Sequence, residues 1–199
     1  MDELGPDAPT LCGGWDVGDL AAHLVVRDTR PDAALGLLIK PLHSYTAGVE
    51  AAKRKTTPFP ELVEQVRSGP PAWSPIGWPV VKDKANLTEY FIHHEDVRRA
   101  QPGWKPRELD PELSAELWKF VRQMAPLLVR GVKDTRVTFR TPDGGERSIG
   151  RAESKHSATV TGEPGEIVLY LSGRRPIAQV RITGSQSGQA RLAAASLGM

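Results

Sequence analysis

Residues 87–100, LTEYFIHHEDVRRA, are the most informative segment of the chain. They predict a helix that begins after a cap at Asn86 or Thr88. Glu89 and His93 stand four residues apart, so on this helix their side chains project from one face, about one turn apart. The apolar neighbours of this pair would make an unpaired carboxylate costly to bury, which favours a bound ion.

A second helix carries the third candidate ligand. Asp16 is a good N-cap, and the pattern behind it predicts a helix over residues 17–30. Leu20, His23 and Leu24 recur on this helix at helical spacing, so His23 lies on the inward stripe. His23 is the only other histidine on the inner face of a firmly predicted helix, and we therefore expect it to join the pair on residues 87–100.

Two imidazoles and one carboxylate form a ligand set that suits Zn²⁺, while Fe²⁺, Ni²⁺ and Mn²⁺ stay open. Three protein ligands would leave a position for water or substrate. The alternative is that no metal binds. A Glu/His pair at this spacing is common on solvated helix faces, and a lone histidine on an apolar stripe is often structural.

Three charged or titratable neighbours are candidates for supporting roles, and no catalytic residue is assigned. His94 lies about 100° around the helix from His93, so we expect it to orient a ligand or to pack. Asp96, three residues after His93, would orient a ligand or cap a neighbouring group. Arg27, one turn beyond His23, would hold a carboxylate of a bound partner or form a surface salt bridge.

Two loops hold residues with open roles. Trp73 and Trp78 lie in the Pro-rich segment 56–79, where they would either wall a pocket or seal a core. Cys12 precedes two glycines and would be either a reactive nucleophile or a small buried hydrophobe. As the single cysteine it forms no internal disulfide, which fits a reducing compartment.

The hydrophobic period changes from helical to alternating near Lys133-Asp134. This change predicts an α plus α/β chain, with a helical bundle at residues 1–133 and a small α+β domain at residues 134–199. Further helices are predicted at 32–40, 41–55, 61–68, 110–129, 167–172 and 189–195, and strands at 136–140, 157–161 and 177–183, with a hairpin turn at 142–145.

Composition excludes some classes of function. The chain has 199 residues, 39% of them hydrophobic and 25% charged, which is ordinary for a globular protein. The net charge of +2 and the scattered basic residues argue against nucleic-acid binding. The apolar stretches are broken well before the ~18 residues that a membrane span needs. No signal peptide follows Met1, so a cytoplasmic location is expected.

The candidate ligands lie in text that resembles the DinB-like metal-binding superfamily, specifically the N-terminal domain of the mycothiol-dependent maleylpyruvate isomerase family. Residues 10–24, TLCGGWDVGDLAAHL, resemble that family's opening motif, and Glu89-x-x-x-His93-x-x-Asp96 resembles its second metal motif. Residues 159–164 and 169–174 resemble its sterol-carrier-like second domain. The resemblance covers nearly the whole chain.

This resemblance implies a four-helix up-down-down-up bundle, with a divalent metal ion on His23, Glu89 and His93 and mycothiol as a possible cosubstrate. In that family a full helix precedes the Gly-Trp loop, whereas only residues 1–7 precede Pro9 here. We therefore expect either a chain that begins late or a bundle whose first helix is a stub.

The activity expected from the resemblance is isomerase or S-transferase chemistry. A metal-dependent enzyme would use a low-molecular-weight thiol against an electrophilic substrate. The competing class is a non-catalytic module that binds a metal or a small ligand. Fold alone does not decide between them.

Overall fold

The computed structural model describes the backbone of residues 1–34 and 40–197, and their side chains except those of residues 34, 40, 76 and 79–85. Contacts between Cα atoms divide the chain into two compact units, Met1–Lys105 and Pro106–Met199. The first unit is helical, and the second contains a four-stranded mixed sheet with helices. The predicted fold class, α plus α/β, is confirmed.

Five helices form the first unit. Residues 1–16 make turns and one isolated bridge, between Pro9 and Asp16. Short 3-10 turns lie at Lys40–Leu42 and Pro75–Gly77. The helices are α1 (Val17–Thr29), α2 (Pro31–Ala34), α3 (His43–Thr56), α4 (Phe59–Ser68) and α5 (Pro79–Arg99).

Helix α1 is the core of this unit because nearly all of its residues are buried. Asp16 caps it as predicted, and the side chains of Asp16 and Asp19 form a reciprocal capping box. Ala21 and Val25 of α1 pack with Leu62 of α4, and α1 also packs along α3. The expected helix over residues 17–30 is therefore confirmed.

Two predicted helices differ from the observed ones. Helix α5 begins at Pro79, so the prediction that Asn86 or Thr88 caps it is wrong. Both residues are buried inside the helix, and Asn86 accepts a hydrogen bond from Arg27 instead of capping a helix end. Of the helix expected over residues 32–40, only α2 and the turn at its end are described, and residues 35–39 lie outside the described part of the chain.

The second unit contains the remaining elements: α6 (Pro111–Leu128), β1 (Thr135–Arg140), β2 (Glu146–Ile149), β3 (His156–Thr161), α7 (Pro164–Leu171), β4 (Arg181–Gly184) and α8 (Gln186–Ala194). Asp110 caps α6 by accepting a hydrogen bond from the Glu112 amide. Helix α7 is buried along its whole length and packs against α6. The domain assignment to residues 1–133 and 134–199 stays a prediction, since the contacts group α6 with the sheet.

The sheet has strand order β2-β1-β3-β4. The hairpin predicted at residues 142–145 joins β1 and β2 in antiparallel register, with Val137 opposite Ile149. Strands β1 and β3 are parallel, and β4 returns antiparallel to β3. Strand β4 is shorter than the predicted 177–183, because residues 174–180 form turns before it.

No helix in the described residues, 1–34 and 40–197, is long and apolar enough to cross a membrane. This observation agrees with the break-up of apolar stretches in the sequence.

We predict opposite effects of alanine at two helical glycines. A Cβ at Gly188 of α8 would lie 2.1 Å from the backbone oxygen of Ser157, which cannot move aside without distorting β3. Gly188→Ala should therefore lower the free energy of unfolding by about 1–3 kcal/mol. Gly48→Ala on α3 meets nothing within 4 Å and should raise it by about 0.4–1 kcal/mol. Urea unfolding followed by circular dichroism measures both, and a Gly188→Ala protein as stable as the parent would contradict the close approach.

Candidate metal centre

The packing of α1 on α5 places two histidines side by side. Leu20 of α1 and Val97 of α5 belong to one buried cluster. His23 follows Leu20 by three residues and His93 precedes Val97 by four, so each histidine lies about one turn from that contact. Their ring centroids are 5.3 Å apart in an edge-to-face arrangement.

Glu89 completes a group of three ligand-type side chains. Its Oε1 atom lies 3.2 Å from Nε2 of His93 and 3.9 Å from Nε2 of His23. One ligand atom from each of the three residues lies within 4.8 Å of the other two. His23 and His93 are buried, whereas the Glu89 side chain is 24% exposed. The three residues singled out in the sequence therefore come together, with one side open to solvent.

These distances suit a small divalent ion. Ligand atoms about 2.0–2.1 Å from a tetrahedral ion lie roughly 3.3 Å from one another. The spacings of 3.2 and 3.9 Å around Glu89 bracket that value, so small side-chain adjustments would close the group on an ion. The group can thus hold a metal ion.

Each histidine also contacts a second carboxylate through its other ring nitrogen. Nδ1 of His23 lies 2.7 Å from Oε1 of Glu50 on α3. Nδ1 of His93 lies 3.0 Å from Oδ2 of Asp96, which is fully buried. In both rings, Nδ1 is held by a carboxylate and Nε2 faces Glu89. Such a contact fixes the ring orientation and the tautomer of a metal-binding histidine.

Cys12 belongs to a second, overlapping group. Its Sγ atom donates to Oδ2 of Asp96 at 3.0 Å and lies 3.6 Å from Nδ1 of His93. The amide of Leu11 donates to the carbonyl of Asp96, which fixes this loop against α5. Cys12, His93 and Asp96 can also be grouped as metal ligands. Their 3.0 Å contacts are hydrogen-bond distances, shorter than the separations around an ion that includes a sulfur ligand, so this group serves first to hold His93.

The electrostatics of the group are dominated by charge pairing inside a buried site. Burial alone would lower the pKa of His93, but contacts with Asp96, Cys12 and Glu89 outweigh it and raise that pKa to about 11. Burial also opposes protonation of His23, yet Glu50 and Glu89 raise its pKa above the usual value. Burial would raise the pKa of Glu89, but both histidines hold it well below its usual range.

Arg27 supports the site from inside α1. Its Nη1 atom donates to Oδ1 of Asp28 at 2.9 Å and to Oδ1 of Asn86 at 2.8 Å. Its Nε atom lies 3.9 Å from Oε1 of Glu89. The Tyr90 hydroxyl donates to Asp28. Arg27 is buried among these partners, and its predicted role in holding a carboxylate of a bound partner stays a prediction.

The other predicted neighbours lie at the surface. The His94 side chain is 55% exposed and approaches Glu95, so it points away from the ring of His93. Trp73 and Trp78 are 64% and 55% exposed. Their proposed role in covering the site stays a prediction.

Sequence reasoning missed Glu50 and the part played by Cys12. Glu50 lies in a predicted helix, but no spacing relates it to His23, which is far away in the chain. Cys12 lies directly before the Gly-Gly-Trp loop, and a base beside it was sought only among its sequence neighbours. The loop instead brings it to His93 in space. Trp15 from the same loop has its ring centroid 5.0 Å from that of His23.

Comparison of the chain with protein-family models, with curated proteins and with solved structures finds no match. The helical unit, the sheet unit and the buried group of histidine, glutamate and cysteine are thus described by their own geometry.

We predict that the metal-free protein loses stability as pH rises from 7 to 9. A histidine whose pKa is raised on folding stabilises the native state fully below its unfolded pKa of about 6.5, and loses that contribution as pH rises toward its folded value. For His93 that upper limit is a pKa of about 11. The slope should reach at most about 1.4 kcal/mol per pH unit from this residue.

Chemical unfolding at several pH values in the presence of a chelator measures this slope. His93→Gln should flatten it, whereas His94→Gln on the exposed neighbour should leave it unchanged. Equal slopes in the parent protein and in His93→Gln would show that the pairing around His93 is weaker than the geometry indicates.

Proposed function

We propose that His23, Glu89 and His93 hold one divalent metal ion, with Zn²⁺ as the best-suited ion, and that the protein uses it in a reaction with a low-molecular-weight thiol. The ligand set of two imidazoles and one carboxylate is that of many zinc enzymes.

The observation that carries the metal site is the shared orientation of the two rings. Both histidines turn Nε2 toward Glu89 and have a carboxylate on Nδ1, at 2.7 Å for Glu50 and 3.0 Å for Asp96. Carboxylates behind metal-bound imidazoles are the usual arrangement, because they raise ligand basicity and hold the ring in place. Two isolated structural histidines would have no reason to share it.

Accessibility supports a site that takes a further ligand. Three protein ligands leave Zn²⁺ short of its usual four, which is typical of catalytic rather than structural zinc. Glu89 is the partly exposed member of the group, so solvent reaches the site on its side. A small thiol would enter from there.

The choice of a thiol rests on the resemblance of residues 10–24 and 89–96 to the mycothiol-dependent maleylpyruvate isomerase family. When bound, the ion would supply Lewis acidity that lowers the pKa of a coordinating thiol. The chain's own residues orient the rings, balance charge at Glu89 through Arg27, and keep the inner side of the site dry. An electrophilic substrate completes the proposal, and no catalytic residue is assigned.

A non-catalytic module that binds a metal or a small ligand is the alternative function. It would use the same three ligands and the same carboxylates behind them. Turnover of an electrophile that requires both metal and thiol selects the enzyme, whereas tight metal binding without turnover under the same conditions selects the module.

We predict that His23→Ala, Glu89→Ala and His93→Ala each remove most of the bound metal, because each deletes one of three ligands. Metal content after dialysis, measured by elemental analysis on folded protein, tests this. His94→Ala is the matched control and should keep one ion per chain, since its side chain is exposed.

The carboxylates behind the rings should behave differently. Glu50→Gln should keep the stoichiometry but weaken affinity by about 10–100-fold in competition with a chromophoric chelator. Glu64→Gln, on the exposed face of α4, should not. Full metal content in all three folded ligand variants would disprove the site assignment.

We predict that the Co²⁺-substituted protein binds a thiol directly. Titration with mycothiol or a simple thiol should add an intense thiolate-to-metal charge-transfer band near the ultraviolet. The titration is best done in Cys12→Ser, which removes the single cysteine of the chain and with it any band from the protein itself. His93→Ala should abolish the change. An unchanged spectrum at saturating concentrations of several thiols, together with a fourth protein ligand at the ion, would instead support the module.

A further inference from the structure

The second unit contains a cleft of about 780 Å³ that is separate from the histidine group. One wall is a face of α6, on which Pro111, Ala115, Trp118 and Arg122 recur at helical spacing. The remaining lining residues come from α6, from the turn after β1, from β2 and from the start of α7: Ser114, Lys119, Gln123, Thr141, Asp143, Arg147 and Pro164. Its volume is in the range of clefts that bind small organic molecules.

Trp118 supplies a flat apolar surface in this cleft. A Cβ at Gly145 would lie 3.0 Å from Nε1 of Trp118 and 2.5 Å from Oγ1 of Thr141. The turn therefore needs a glycine here for the indole to rest against it. The ring is held from behind by the turn while it lines the cleft.

The cleft carries more positive than negative charge. Its cations are Lys119, Arg122 and Arg147, and its only carboxylate is Asp143. Asp143 is bound within the turn, where it accepts hydrogen bonds from the Thr141 hydroxyl and the Gly145 amide.

Two of these cations have no acidic partner of their own. Lys119 donates to Glu116 at 3.0 Å. Within residues 1–34 and 40–197, neither Arg122 nor Arg147 forms an ion pair within 4.0 Å. Two guanidinium groups thus line a cleft in which charge is left unbalanced.

We propose that this cleft binds a small organic carboxylate, with a flat apolar body against Trp118 and the carboxylate held by Arg122 and Arg147. Guanidinium groups bind carboxylates through paired hydrogen bonds, and they also stack on planar ligands. An indole face contributes apolar contact area. The site uses no residue of the histidine group, so it stands whether or not that group binds a metal.

The test compares 2-naphthoate with the neutral 2-naphthalenemethanol, which has the same ring system, by isothermal titration calorimetry on the full-length protein. The carboxylate should bind saturably with one ligand per chain, and about tenfold or more tighter than the alcohol. Arg122→Gln and Arg147→Gln should each weaken it by about tenfold, as expected when a hydrogen bond to a charged group is lost. Trp118→Leu should weaken the carboxylate and the alcohol alike.

Arg151→Gln removes the same charge from an exposed position outside the lining and should leave affinity unchanged. His93→Ala should also leave it unchanged, which separates this site from the metal proposal. Circular dichroism confirms that each variant is folded. The proposal is overturned if 2-naphthoate shows no saturable binding at millimolar concentrations, if the alcohol binds as tightly, or if the folded Arg122→Gln/Arg147→Gln double variant retains the parent affinity.

Discussion

Burial of ionisable side chains between α1, α3 and α5 is the constraint on which the first unit depends. An ionised group removed from water is costly unless an opposite charge or a hydrogen bond lies beside it. The structure meets this requirement by alternating imidazoles and carboxylates, so that Glu50, His23, Glu89, His93 and Asp96 form one continuous series of contacts. Apolar packing sets the helix positions, but this series sets which rotations of the helices are acceptable.

The same series explains how a site can be stable both with and without an ion. Without one, protonated rings provide the positive charge that the three carboxylates need, in keeping with the raised pKa of both histidines. A divalent ion at Nε2 of each ring would replace protons of the same total charge. The net charge of the buried group would then change little on metal binding, and the cost would be the release of protons.

Local patterns in the sequence predicted much of this arrangement, and their limits are physical. The cap at Asp16 and the helical spacing of Leu20, His23, Glu89 and His93 depend on neighbours within one or two turns, and these features were predicted successfully. The hairpin between β1 and β2 was equally local.

The contacts of Glu50 and Cys12 depend instead on how helices and loops meet, and no spacing in the chain encodes them. The start of α5 was misplaced because Asn86 and Thr88 have the chemistry of caps. In the fold, Asn86 satisfies its amide oxygen with Arg27 from a different helix, so it has no need of a helix end.

Three members of the histidine group, Glu89, His93 and Asp96, lie on successive turns of α5, whereas His23 belongs to α1. An ion shared between the two helices would therefore act as a mechanical staple, closing a long loop of chain whose ends otherwise meet only through side-chain packing. Any motion that slides α5 along α1 would break its coordination. The tightness of the staple and the rigidity of the helical unit are then one quantity, and an ion present at a thousand times its dissociation constant would add about 4 kcal/mol to the cost of unfolding that unit.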